Sequence, residues 1–411
     1  MKLNSSKKMS DKNIRITNCP ACIFVGVWTI AILIYSLVFE VISTSVLIYI
    51  LLFACFFVTG ATLASTFRYK RNFPHTTSAS KLAFIASILV FINLFYALQV
   101  FILLLNSGSV PQAFVEIRQS ALQGAPVIKN TFFYININQL LFGISAFGYV
   151  LVKRNKIEPS NIDGKASTKN NKSRLSHVFM VGVLTSLFVA LLDGSRSFFL
   201  SALLALLFIL YELAIVKLRQ IIVLLLLVII IFSATFSFFR PDAGDDLGVG
   251  FKYFALYFSG GLGSLDHVIA GDVKVFWNDL ESVANKIGYL GLPFGGYDLT
   301  TPMDYVDLPD GYGTNVYTSL GVYYDYMGYF SLFFALFIGG LTQYFCWLSK
   351  RSALGLFVYS FCLSAIVLSI FHDYFVSFGY FVLKIFLVLF GIRILERFCG
   401  GVAFVFKFKK I

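Results

Sequence analysis

The chain has 411 residues, of which 58% are hydrophobic and only 13% charged, and its mean hydropathy is +0.80. Soluble domains carry about 25% charged residues, and the two or three domains suggested by this length could not bury so much apolar surface. As whole-chain readings this excludes a secreted disulfide scaffold, a nucleic-acid-binding protein and a dinucleotide-binding enzyme. It leaves an all-α, polytopic integral membrane protein.

A membrane-spanning helix needs about 20 mainly apolar residues. Ten stretches are predicted as spans: 22–39, 45–64, 82–105, 132–152, 177–192, 198–216, 220–239, 328–348, 353–371 and 376–395. The first run is full length and a second follows at once, so no cleavable signal peptide is expected. Cys19-Pro-Ala-Cys22, just ahead of the first span, has the spacing of a redox or zinc motif. No second pair or His cluster accompanies it. Between the fourth and fifth spans lies the polar segment 153–176. The long stretch 240–327 divides the chain into a seven-helix bundle (1–239), a large outer loop (240–327) and C-terminal helices with a basic tail (328–411). Within the loop, 251–270 is apolar enough to lie along the membrane as a helix–turn–helix. Gly260, Gly261 and Gly263 are predicted to form its bend.

The net charge of +12 comes from 33 Lys/Arg against 21 Asp/Glu. With both termini in the cytoplasm, 25 of the 33 bases fall on cytoplasmic segments and 16 of the 21 acids on outer ones. This is the asymmetry that orients membrane proteins, and no nucleic-acid partner is needed to explain it. The loop 240–327 alone holds twelve acids against four bases, and ten of the 22 tyrosines. Loops longer than about 15 residues usually carry function, so chemistry is expected there.

Three short segments project to this outer face. Asp193-Gly194-Ser195-Arg196-Ser197 is the tight turn between spans five and six, with Ser197 readable as a helix N-cap. Arg196 there runs against the charge trend, and an arginine grips phosphate with two parallel donors. Arg240-Pro241-Asp242 ends span seven, and Arg240 could equally snorkel to headgroups. Together Arg196 and Arg240 would clamp a diphosphate. The run 314–328 leads into span eight. As a helix it would align Tyr317, Leu320 and Tyr324 on one face, and Val322 with Asp325 on another. A partly desolvated carboxylate at Asp325 suits a general base, while an acid favoured by the dipole of span eight is the plainer alternative. His372 and Asp373 form the turn between spans nine and ten, where His372 is an alternative base and ordinary turn polarity the plainer account. Lys384 lies mid-span, where a charge is functional by default unless a partner such as Glu212 neutralises it. No other metal-ligand spacing occurs, and the adjacent pair Asp245-Asp246 is at best a weak Ca²⁺ or Mg²⁺ candidate, since two acids define no cage.

GSRSFFLSALL (194–204) and TNVYTSLGVYYDYMGYFSLF (314–333) resemble two landmarks of the bacterial O-antigen polymerases, the Wzy or oligosaccharide repeat unit polymerase family. The span layout and the large late loop are similar too. The resemblance implies a GT-C-like membrane glycosyltransferase in the bacterial inner membrane. Such an enzyme passes an undecaprenyl-diphosphate-linked glycan chain to another lipid-linked repeat unit on the outer face. It implies no cofactor and no metal, because arginines can stabilise the departing diphosphate. Alignment of two lipid-anchored reactants would itself lower the barrier. Membrane lipids, a chain-length regulator and a flippase are the other partners it suggests.

On this reading Arg196 and Arg240 take the diphosphate, with Asp193 and Ser195 beside them. Asp325 activates the acceptor, Asn315, Tyr317 and Tyr324 hold the sugar, and His372 lies at the substrate as the alternative base. Two alternatives compete. O-antigen ligases are similar in layout, but their late-loop motif opens with a His-Asn-like pair where this chain has Thr314-Asn315. A lipid-linked oligosaccharide flippase would show internal repeats and a charged inner cavity. This chain shows no clear repeat and one mid-span charge.

Overall fold

A computed structural model describes residues 19–39, 41–66, 79–106, 128, 131–154, 165–192, 196–224, 226–227, 247–273, 306–308, 313–314 and 316–398. The elements in chain order are α1 (Pro20–Val38), α2 (Thr44–Thr66), α3 (Ala79–Asn106), α4 (Thr131–Arg154), α5 (Lys165–Leu192) and α6 (Arg196–Glu212). They continue with α7 (Leu247–Ser259), α8 (Gly261–Ala270), β1 (Val306–Asp307), β2 (Gly313–Thr314), α9 (Ser319–Met327), a 3-10 turn Gly328–Phe330, α10 (Ser331–Ser349), α11 (Ala353–Leu368) and α12 (Tyr374–Phe398). Among the described residues six helical stretches are long and apolar enough to cross a membrane: α1 to α5, and the continuous stretch from α9 through α10. The architecture is therefore all-α and multi-pass.

Apolar residues cover the outward faces as well as the core. Leu37 on α1 is 83% exposed and Phe91 on α3 is 76% exposed. Patches of this kind are tolerated only against an apolar solvent. Inside, two hydrophobic cores meet at α11. Leu356, Phe357, Phe361, Ala365 and Leu368 pack with α3, α4, α5, α6 and α12. Tyr359, Leu363 and Ile366 pack with α1, α2, α8, α9 and α10. A helix that is apolar all round belongs at the centre, and α11 sits there.

The closest helix pair is α2 with α10. A Cβ added at Gly60 would strike the carbonyl of Leu336, and one added at Gly339 would strike the carbonyl of Phe57. Small residues let backbones approach in this way, which is the main attraction available to helices already surrounded by lipid. Between α4 and α5 the contact is polar and reciprocal. Asn138 Nδ2 donates to the Ser186 carbonyl at 3.1 Å, and Ser186 Oγ donates to the Asn138 carbonyl at 3.0 Å.

Several boundaries differ from those expected. The predicted sixth span, 198–216, is a helix only to Glu212. It closes in a turn where Ala214 takes φ 57° and the amide of Ile215 donates to the Leu210 carbonyl at 2.9 Å. The predicted eighth span begins nine residues early, at Ser319, because α9 runs into α10 through the turn at Gly328 (φ +53°). The predicted break in 251–270 is present but narrower than expected: α7 and α8 meet at Gly260, while Gly261 and Gly263 are already within α8. Glu212 does not neutralise Lys384. It lies within electrostatic reach of Arg154, whose Nη1 donates to the Ser352 carbonyl at 2.8 Å.

Candidate functional site

α11 runs from the Ser352 turn to the Ser369 turn, and these mark opposite ends of the bundle. Arg154, Lys350 and Arg351 gather at the Ser352 end, where the Arg351 guanidinium stacks 4.0 Å from the centre of the Trp347 ring. The Ser369 end carries the residues of interest.

There, α9 is nucleated by Thr318, whose side-chain oxygen accepts from the amide of Gly321 at 3.1 Å. A threonine N-cap satisfies one of the donors a helix start leaves open. The next amide, Ser319, donates to the Ser369 carbonyl at 2.8 Å, and the Trp28 indole donates to Ser369 Oγ at 3.0 Å. One turn residue thus ties α1, α9 and α11 together. Gly261, at the start of α8, fits against Thr318 and the Ile370 carbonyl, where a side chain would be crowded. The hairpin β1–β2, with Val306 opposite Thr314, packs Leu308 over Gly263 and so holds the chain just ahead of α9. On the other flank Ser43 Oγ donates to Asp266 at 2.7 Å.

The face that α9 buries is shifted by one residue from the one expected. The helix starts at Ser319, so Tyr317 precedes its cap and shares no helical face with Leu320 and Tyr324. Tyr317 itself is 1% exposed and belongs to the core. Leu320 and Tyr323 form the inward face. The Tyr323 hydroxyl donates to Asp373 Oδ1 at 2.5 Å, and Asp373 is 2% exposed. Asp373 had a plain reading as turn polarity. Its burial, and the choice of Tyr323 over Tyr324 as the inward ring, depend on how α9 is rotated against α2 and α10, where the Tyr323 ring meets Phe53 and Phe334, and local spacing does not reveal that.

Tyr324 is half-buried in an aromatic cluster, with its ring 5.0 Å from Tyr49 and 5.5 Å from Tyr329. Tyr49 anchors that cluster through a 2.7 Å hydrogen bond with Ser331. Asp325 is half-buried and lies two residues, about 200°, around the helix from Tyr323. It therefore points away from Asp373. It sits in the last turn of α9 and not in the first turn of α10. The favourable dipole position considered for it is absent, since carbonyl ends repel anions. His372 is half-buried, with its ring edge-on to Tyr374 at 6.0 Å.

The remaining expected site residues are placed only in part. α6 begins at Arg196, two residues before the helix predicted from a Ser197 cap, and its backbone alone is described there. Asp193, Ser195, Arg240 and Asn315 lie outside the described residues. Phe198, in the first turn of α6, packs between Phe142 and Phe381 at ring distances of 6.0 and 6.2 Å. Among the described residues no group of three His, Cys, Asp or Glu side chains comes together. Comparison with protein-family models, curated proteins and solved structures finds no match for this chain.

Proposed function

We propose that the protein is a surface-polysaccharide polymerase of the bacterial plasma membrane, with ten spans and both termini in the cytoplasm. The observation that carries the reading is the run 314–328. It bears the polymerase-like sequence, and its segment Ser319–Met327 packs as a short capped helix on the Ser369 turn, with one half-buried carboxylate, Asp325, on the side turned from Asp373. The separation of 25 bases from 16 acids along the chain supports the orientation, with this end outward.

In the reaction the hydroxyl of one lipid-linked repeat unit attacks the anomeric carbon of a second, diphosphate-linked glycan. The new glycosidic bond forms as the bond to the diphosphate oxygen breaks. The hydroxyl proton goes to Asp325, and the electron pair leaves with the lipid diphosphate, whose charge Arg196 and Arg240 stabilise. Tyr324 and its aromatic neighbours offer a surface for a sugar ring.

Deletion of the gene, followed by gel analysis of surface glycan, tests the reading. A single repeat unit on the surface acceptor is the expected result. Polymer retained on the carrier lipid with none at the surface would indicate a ligase instead. Loss of lipid-linked units from the outer leaflet would indicate a flippase.

A further inference from the structure

Lys384 lies on α12 among lipid-facing residues. Leu383 is 43% exposed and Leu387 is 54% exposed. The lysine does not extend along the helix towards the headgroups, the usual escape for a long cationic side chain. Its Nζ reaches across to α4 and contacts Asn136 Oδ1 at 2.5 Å and Gln139 Oε1 at 3.3 Å. Asn136 and Gln139 are three residues apart, one above the other on the same helical face. The helices stay close at the next turn, where Ile385 and Phe381 fill the space beside Gly143.

Both hydrogen-bond partners of Lys384 are neutral carbonyl oxygens. They orient the ammonium, and among the described residues no carboxylate compensates its charge, in a medium where an isolated charge is costly. An ammonium has three donors, and among the described residues two carbonyls take two of them. Lys384, Asn136 and Gln139 are all half-buried, so the notch between α4 and α12 is open and not sealed. Phe381, one turn before Lys384, carries the first turn of α6 against the same stretch of α12 through Phe198. Backbone N–H groups at a helix start are themselves unpaired donors suited to anions.

We infer that Lys384, oriented by Asn136 and Gln139, forms an intramembrane site for the phosphate group of a membrane-borne polyprenyl phosphate or diphosphate. The anion supplies the missing charge and takes the third donor. The tail lies along the exposed apolar strip formed by Leu383, Phe386, Leu387 and Phe390. A free anion would have no use for that strip, which is why a lipid is favoured. The choice of a polyprenyl carrier and the preference for a diphosphate rest on the polymerase reading; the oriented ammonium and the apolar strip do not.

The test uses full-length protein in nanodiscs and native mass spectrometry or competition binding. The probes are polyprenyl diphosphate, polyprenyl monophosphate, the neutral polyprenol of the same length and inorganic diphosphate. Wild type should hold the phosphorylated lipids about tenfold or more tighter than the polyprenol. Lys384→Met should abolish that preference while keeping weak binding of the tail, and Lys384→Arg should retain most of it. Persistence of the full preference in Lys384→Met overturns the site. Equal displacement by inorganic diphosphate overturns the lipid assignment. A protein that shows the preference but does not lengthen glycan keeps this site and loses the polymerase reading.

Discussion

The hydroxyl of Tyr323 donates to the carboxylate of Asp373 at 2.5 Å across the junction of α9 and the turn before α12, and both side chains are at most 3% exposed. Removing one member takes away a buried hydrogen bond to a charged group. Tyr323→Phe should destabilise the protein by about 1–3 kcal/mol, and Asp373→Asn, which keeps an acceptor, by less. Thermal unfolding in detergent of both single variants and the double variant checks this. Additive effects, with no coupling between the two positions, would show that the bond contributes nothing.

The α2–α10 crossing makes a steric prediction. Gly339→Val should lower thermal stability markedly, because the added atoms meet the Phe57 backbone, which cannot move aside like a flexible side chain. Gly26→Ala on α1 has nothing within 4 Å of the new methyl group and should be neutral or slightly stabilising. Equal loss in both variants, read by size-exclusion profile after heating, would contradict the packing.

Ala214 is held at φ 57°, a left-handed conformation that costs an L-residue about 1–2 kcal/mol. Ala214→Gly relieves that cost but frees the unfolded chain, so a net gain of up to about 1 kcal/mol is expected. A fall in unfolding temperature would argue against the turn at the end of α6.

The reaction itself is tested at Asp325 and Arg196. Asp325→Asn should nearly abolish polymer while Asp325→Glu keeps some, since only a carboxylate can take the hydroxyl proton. Arg196→Ala should shorten the glycan, and Arg196→Lys should rescue it partly, a single ammonium lacking the bidentate fork. Extracted glycan resolved by gel, at matched protein levels, reads both. Full-length polymer from Asp325→Asn would remove the base, and from Arg196→Ala the clamp.

Composition and the length of the apolar runs were sufficient for membrane residence and for most helices, because lipid leaves a chain few ways to satisfy its backbone. α1 to α5 begin and end within a few residues of the predicted spans, apart from polar N-terminal turns such as that of α5. The bend at Gly260 was equally legible, since two glycines in sequence mark a break. Asp325, Tyr324 and His372 could be singled out as polar or aromatic groups near a span boundary. What local sequence could not supply was rotation and depth. Tyr323 and Tyr324 are adjacent and chemically alike, and only the fit of α9 against α2 and α10 turns the first inward to Asp373. Tyr317 was expected on a helical face with Leu320 and Tyr324 and instead lies in the core ahead of the helix, which caps at Thr318. Lys384 was conspicuous in the sequence, but its partners are on α4, some 245 residues earlier in the chain. Apolar periodicity records that a face is buried in protein or lipid. It carries no information about which helix lies opposite, and that choice belongs to the packing of the whole bundle.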